Sequence, residues 1–456
     1  MGREDMSLST EALLIPPAPE PPRTDTSLLA LAWRMRRNQI EAFPRALFEE
    51  DTRRPLRRGV LFVMSPQAVR TVLREEADHF SSGALFRRMV RPVWGRGLLT
   101  AQGRDWHVQR RAASSAFRPS NMTVLAPFFS NAAGRAVERW ISAPGRAIDM
   151  HAEMARITFD VILDAMLSGA ADFDRATLSG TLARMFARVN RVPITGLFLP
   201  DRYHQGRASV RPPERDGVLA IMRSMIAKRR EGEPVSDLLD LLLQARDPET
   251  GDAFDDDLLA DNLLGFIMAG HDTTTLALTW ALFLAASHTP TMAALRNEVE
   301  AVAGGREIQA EHISRLVFTR QVISEAMRLY PPAFLLTRVA GRDTQVAGER
   351  VKAGERVNIP IYAIHRRSAA FANPFAFDPG RFDPSHQQPE RDSYLPFGAG
   401  PRICLGASFA MAEAVTVLAT VVRAVRLELL APDKVWPVAQ VSLRPRGGLS
   451  MNVFRR

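Results

Sequence analysis

Apolar residues recur at three- and four-residue spacing from about Ala30 to Leu316, the signature of amphipathic helices. The longest apolar stretch, Leu263 to Ala286, predicts a helix from about Asp255 to Ser287. Asp255, Asp256 and Asp257 suit its positive N-terminal end, and Pro290 lies just past its close. Shorter helices are predicted over Ala101–Phe117 and Ser314–Tyr330, the second halted by Pro331-Pro332. The pattern then changes. Phe334–Ala340 and Gln345–Ile361 read as extended, punctuated by the turn signals Ala347-Gly348 and Ala353-Gly354. A Gly-rich loop after Tyr394 leads through Cys404 into a last helix, Gly406 to Leu427. The picture is a mainly α fold with a small β region. Met1 to Asp25, rich in proline from Pro16 to Pro22, is expected to be a flexible arm, with residues 26–456 forming one domain.

Composition narrows the class. The 456 residues are 46% hydrophobic and 24% charged, ordinary for a globular chain with a large core. No basic segment followed by an apolar run opens the chain. The Leu263–Ala286 stretch could cross a bilayer by length, but the polar run His271-Asp272-Thr273-Thr274-Thr275 inside it would be costly in lipid. No integral membrane span is therefore expected. The formal net charge is +9, concentrated early: residues 34–118 hold 18 Arg against eight Asp or Glu. Such a surface suits nucleic acid, anionic lipid or an acidic protein. No nucleic-acid module accompanies it, so nucleic acid is not the expected partner. The single cysteine, Cys404, permits no internal disulfide and fits a reducing cytoplasm.

A lone cysteine is most often a small buried hydrophobe. Its neighbours argue otherwise. Cys404 stands at a helix N-terminus beside Arg402, and both the dipole and the cation favour a thiolate. A dinucleotide-binding glycine pattern is excluded because its third glycine would fall on Ile403. Within the long helix, Gly270 costs up to about 1 kcal/mol relative to Ala. The Thr273 hydroxyl can bond the carbonyl of Ala269 and bend the helix. Phe266, Ala269, Gly270, Thr273 and Ala277 share one face, with Asp272 beside Thr273 as an acid next to an alcohol.

The run Phe397-Gly398-Ala399-Gly400-Pro401-Arg402-Ile403-Cys404-Leu405-Gly406 resembles the haem-binding signature of the cytochrome P450 family at Phe397, Gly400, Arg402, Cys404 and Gly406. Glu325-Ala326-Met327-Arg328 resembles the family's Glu-x-x-Arg, and Arg381 fits the arginine that locks it, although Gly380 replaces the usual acidic neighbour. Ala269–Thr274 resembles the oxygen-activation motif, and Trp106 and Arg110 the helix that meets a haem propionate.

The resemblance implies a cytochrome P450-like fold with haem b between the long helix and the cysteine loop. It implies Cys404 as iron ligand, with Phe397, Gly400, Arg402, Gly406, Trp106, Arg110, Arg338, Ala269 and Gly270 around the haem. Asp272 and Thr273 would handle protons for O2 activation, while Glu325, Arg328 and Arg381 form a structural lock. His271 is read as a non-ligand, and His365 as a stabiliser of the segment that precedes the cysteine loop. Substrate walls are expected from 85–99, 185–198, Phe266, Phe334, Leu335, Leu336 and 441–443, Val441 in particular. The expected activity is a monooxygenase hydroxylating or epoxidising an apolar terpenoid, steroid-like or fatty-acyl molecule. A haem-thiolate isomerase or peroxygenase, or a non-catalytic haem sensor, are the alternatives. Electrons are expected from a ferredoxin and its reductase, or a flavodoxin-type donor, docking on the basic surface that includes Arg111.

Overall fold

The computed structural model describes residues 13–23, 28–55, 59–143, 145–168, 175–189 and 211–456. Its centre is the predicted long helix, spanning Asp256–Ser287. Asp255 caps it, the carboxylate accepting from the Leu258 amide at 2.6 Å. Eight helices position the site: α1 (Ala84–Trp94), α2 (Gly103–Ser114), α3 (Met122–Ile141), α4 (Met150–Leu167), α5 (Glu214–Glu231), α6 (the central Asp256–Ser287), α7 (Val317–Leu329) and α8 (Ala407–Ala424). α6 packs against α4, α5, α7 and α8, and α8 also lies on α3. That surround explains why α6 is so largely apolar: its stretches Leu259–Leu264 and Thr274–Ala285 are buried.

The extended segments form the expected small β region. A five-stranded sheet contains β1 (Thr52–Arg53), β2 (Val60–Val63), β3 (Phe80–Ser81), β4 (Leu336–Ala340) and β5 (Arg356–Ile359), in the order β1-β2-β5-β4-β3. β4 and β5 pair antiparallel, with Arg338 opposite Val357. A separate hairpin joins β6 (Pro437–Ala439) to β7 (Leu443–Pro445). The last helix ends earlier than its pattern suggests. Val425 begins a strand to Leu429 that pairs with 450–455, because backbone partners on that strand are available there.

The Pro-rich stretch is not a free arm over its described part. The Tyr330 hydroxyl donates to the Pro17 carbonyl at 2.8 Å, Arg45 N–H to Pro22 at 3.0 Å and Phe377 N–H to Leu14 at 2.8 Å. Pro16 and Pro19 are buried. Low proline entropy and these backbone carbonyls fasten the segment as a strap. Among the described residues one helix, α8, is long and apolar enough to cross a membrane, and 67% of it is buried inside the protein.

Candidate active site

Cys404 sits at the end of a loop whose turns require glycine. Gly398 and Gly400 have φ of +74° and +72°. A Cβ on Gly400 would stand 1.6 Å from the Leu73 carbonyl oxygen, so this glycine answers to the protein's own backbone. Gly406 differs: its φ is −87°, and the nearest atom to a Cβ there is on Phe117, at 3.9 Å. The loop closes through the Cys404 amide, which donates to the Phe397 carbonyl at 2.9 Å. Cys404 is solvent-accessible yet deeply enclosed, the combination produced by a side chain facing an internal space. Burial pushes its thiol up, while the Gly406 amide and Arg110 pull it down.

Around the cysteine lies an unusual set of cations. Arg402 stacks on the Trp106 ring at 4.4 Å, and Trp106 is buried. Arg110, one turn along α2, is close enough to the sulfur for the two to interact electrostatically. Arg338 is enclosed, donates to the Thr337 carbonyl at 3.0 Å, and is pushed down to about 10 by burial and by Arg402. Among the described residues no carboxylate offsets that loss at Arg338, whereas Asp78 acts on Arg402 and Cys404 on Arg110. An enclosed guanidinium without a carboxylate partner fits a ligand that brings its own.

α6 supplies the second half. Between the buried stretches Leu259–Leu264 and Thr274–Ala285, the residues Gly265, Phe266, Gly270, His271 and Asp272 are partly accessible, and Ala269 and Thr273 are exposed. Ala277, expected on this face, is buried instead. The Thr273 hydroxyl donates to the Ala269 carbonyl at 2.8 Å, as the helix pattern predicts. Phe117 links the two halves. Its ring meets Phe266 edge-on at 5.4 Å and is the same ring that neighbours Gly406. His271 turns away, its Nδ1 3.0 Å from the Thr158 hydroxyl on α4 and its ring edge on Phe159. That bond leaves it bound to α4 rather than to the open face.

The lock is closed. Arg328 donates twice to Glu325, both bonds at 2.7 Å, and both side chains are fully buried. Its remaining donors reach the carbonyls of His365, Pro374 and Ala376. Arg381 Nε lies 3.4 Å from Glu325 Oε1. The missing acid at Gly380 does not prevent this, because Asp378 supplies one: its carboxylate accepts from the Gly380 amide and lies 3.9 Å from Arg381. His365 joins in. Its Nε2 accepts from the Leu395 amide at 2.8 Å, so Nδ1 carries the proton and donates to the Arg328 carbonyl at 3.2 Å. Burial, with Arg328, pushes it down to about 3.

Several expected wall residues are elsewhere. Phe334 is core, packed against Phe43, and Leu443 is fully buried. Leu335 and Leu336 are partly accessible and Val441 is exposed at the hairpin turn. Most of 185–198 lies outside the described residues. Arg111 is not a free surface cation: it grips Asp247 through two bonds of 2.7 Å, holding that carboxyl well below its usual range. Two groups escaped sequence reasoning. Glu413 on α8 is fully buried beside Thr274, and burial pushes its carboxyl well up. Arg444 pairs with Asp272 at 3.3 Å. Neither stands in a motif, so only the packing reveals them.

A helical fold with a cysteine loop, a carboxylate-seeking arginine set and an accessible acid-alcohol stretch in its central helix defines a haem-thiolate oxygenase class. The chain belongs to the cytochrome P450 family, whose profile matches residues 19–451. It is 32% identical over 396 residues to cyclooctatin synthase of Streptomyces melanosporofaciens, covering 85% of this chain and 84% of that one. It is 31% identical to cytokinin hydroxylase of Arabidopsis thaliana, covering 78% of this chain and 71% of that one. Among solved structures, the cytochrome P450DA haem domain superposes with a TM-score of 0.78 at 23% identity, covering 98% of both chains. The protein is a cytochrome P450 monooxygenase, with haem b as cofactor and O2 as co-substrate.

Proposed function

We propose that this enzyme hydroxylates or epoxidises an apolar terpenoid-like molecule, with electrons from a separate ferredoxin and reductase or a flavodoxin-type donor. The observation that carries the reading is the accessible Ala269–Thr273 stretch, with its acid and alcohol, inside an otherwise buried helix. Two relatives support the substrate class: cyclooctatin synthase, and a cyclooctat-9-en-7-ol 5-monooxygenase at 30% identity, both from Streptomyces melanosporofaciens. Steroid-like and fatty-acyl molecules are the other apolar shapes such walls admit.

Cys404 would ligate the iron, whose charge supplies what the enclosed thiol lacks for deprotonation. Arg338, Arg402, Arg110 and Trp106 would hold the propionates, and the small residues Ala269 and Gly270 would leave space beside the haem. Phe397 would pack on the sulfur side, Gly406 would let the loop approach the haem, and Gly400 lets the loop pass close to the Leu73 backbone. The bound haem supplies the electron transfer and oxygen insertion. Thr273 has its hydroxyl proton engaged by Ala269, which leaves its lone pairs to accept from a neighbouring donor. Asp272 is the group beside it that can exchange protons with solvent. Phe266, Leu335, Leu336 and Val441 are among the expected wall residues with accessible apolar surface. A cytoplasmic setting fits the single unpaired cysteine.

The test is a spectral-shift binding screen of terpenoids, steroids and fatty acids, followed by turnover with Thr273→Ala. The terpenoid binder should give the shift, and the variant should divert about tenfold more reducing equivalents to hydrogen peroxide. Unaltered coupling in Thr273→Ala would assign proton handling to another residue.

A further inference from the structure

Asp272 is not left alone at the open stretch of α6. Its Oδ1 lies 3.3 Å from Nη2 of Arg444, the cation paired with it among the described residues. Arg444 is oriented from behind, since the same Nη2 donates to the Ser442 hydroxyl at 2.8 Å. It belongs to β7, and β7 is fastened to the core at the preceding residue. Trp280 Nε1, two turns along α6 from Asp272, donates to the Leu443 carbonyl at 3.0 Å, while the Leu443 amide donates to Pro332 at 3.1 Å. Strand alternation then fixes the geometry: Leu443 enters the core, so Arg444 points the other way, toward the acid. His151 on α4 feels both members of the pair, and His271 feels Asp272.

The pair's side chains are 19% and 35% accessible. An ion pair that wet contributes little to stability and opens easily. Its location gives it a different use. Val441, three residues before Arg444, is exposed at the turn of the β6–β7 hairpin. The arginine therefore ties the acid to a segment whose tip carries accessible apolar surface.

We propose that Arg444 is a positioning residue for oxygen activation: it fixes the Asp272 carboxylate on the hairpin side of α6 and so controls when that acid reaches the proton-handling site. The inference rests on Asp272 serving as the proton-exchanging acid. Where delivery fails, O2 takes up two electrons and two protons and leaves as hydrogen peroxide, with no oxygen inserted.

Four variants test it: Arg444→Gln, Arg444→Lys, Asp272→Asn and the Arg444→Gln/Asp272→Asn double, each first checked for haem content and thiolate ligation. Arg444→Gln should raise the peroxide share of consumed electrons about threefold, within the range acid–base groups contribute. Arg444→Lys should recover most of the coupling. The double variant should be no worse than Asp272→Asn alone. Thermal unfolding should move little in all four, as a pair this accessible predicts, so a changed peroxide share reports positioning rather than loss of fold. A peroxide share that rises with Asp272→Asn but not with Arg444→Gln overturns the assignment of Arg444. If Asp272→Asn itself leaves coupling unchanged, the acid's role fails and this proposal with it.

Discussion

At the residue scale, His365 makes a sharp statement about pH. Its folded pKa of about 3 lies below the ordinary histidine value of about 6.5. The unfolded chain therefore takes up a proton first as pH falls. The stabilisation is present above about pH 6.5 and is lost as pH drops toward 3, at up to about 1.4 kcal/mol per pH unit. His151 and His271 are also pushed down by burial, so the wild-type slope includes them. His365→Gln should flatten the dependence of unfolding free energy between about pH 6.5 and 5 by one proton's worth. A variant slope equal to wild type would show that His365 is not held neutral. The sequence pointed to His365 as a stabiliser without naming its partners. Its bonds to Arg328 and Leu395 depend on residues 37 and 30 positions away, which no local pattern encodes.

At the element scale, the lock between α7 and the segment before the cysteine loop has unequal members. Arg328 spends five hydrogen bonds inside the protein, whereas Arg381 adds an ion pair of 3.4 Å and one bond to the Asn373 carbonyl. Arg328→Ala leaves Glu325 buried with its closest cation removed, a loss on the order of 3–5 kcal/mol. Arg381→Ala should lose about 1–2 kcal/mol. Denaturant unfolding of the two variants checks this, and equal losses would mean that the three residues act as one unit.

This scale is also where the sequence was most legible. α6 with its acidic N-terminal end, the Thr273 back-bond and the turns at Gly348 and Gly354 all follow from periodicity and local chemistry. The walls were not legible. Phe334 sits in an apolar run that looks alike whether it lines a cavity or fills a core, and its burial depends on Phe43; Leu443, between polar neighbours, is held by Trp280.

At the scale of the whole molecule, charge was read correctly in amount but not in address. Arg111 looked free from the sequence and is instead committed to Asp247, while Arg104 and Arg118 are exposed at either end of α2. An acidic electron donor would meet these two. Arg104→Glu with Arg118→Glu should slow reduction by the donor about tenfold at low salt and weaken its salt dependence. An unchanged rate would move the docking surface elsewhere. The strap from residue 13 to 23 was equally hidden, since its bonds to Tyr330, Arg45 and Phe377 are made across the chain.

All three scales converge on one sulfur. The most direct measurement is the absorption spectrum of the dithionite-reduced, CO-bound protein, recorded for wild type and Cys404→Ala. Wild type should show the red-shifted Soret band of thiolate-ligated haem, and the variant should lose it while retaining the rest of the fold by circular dichroism. The same band persisting in Cys404→Ala would contradict the account at its centre.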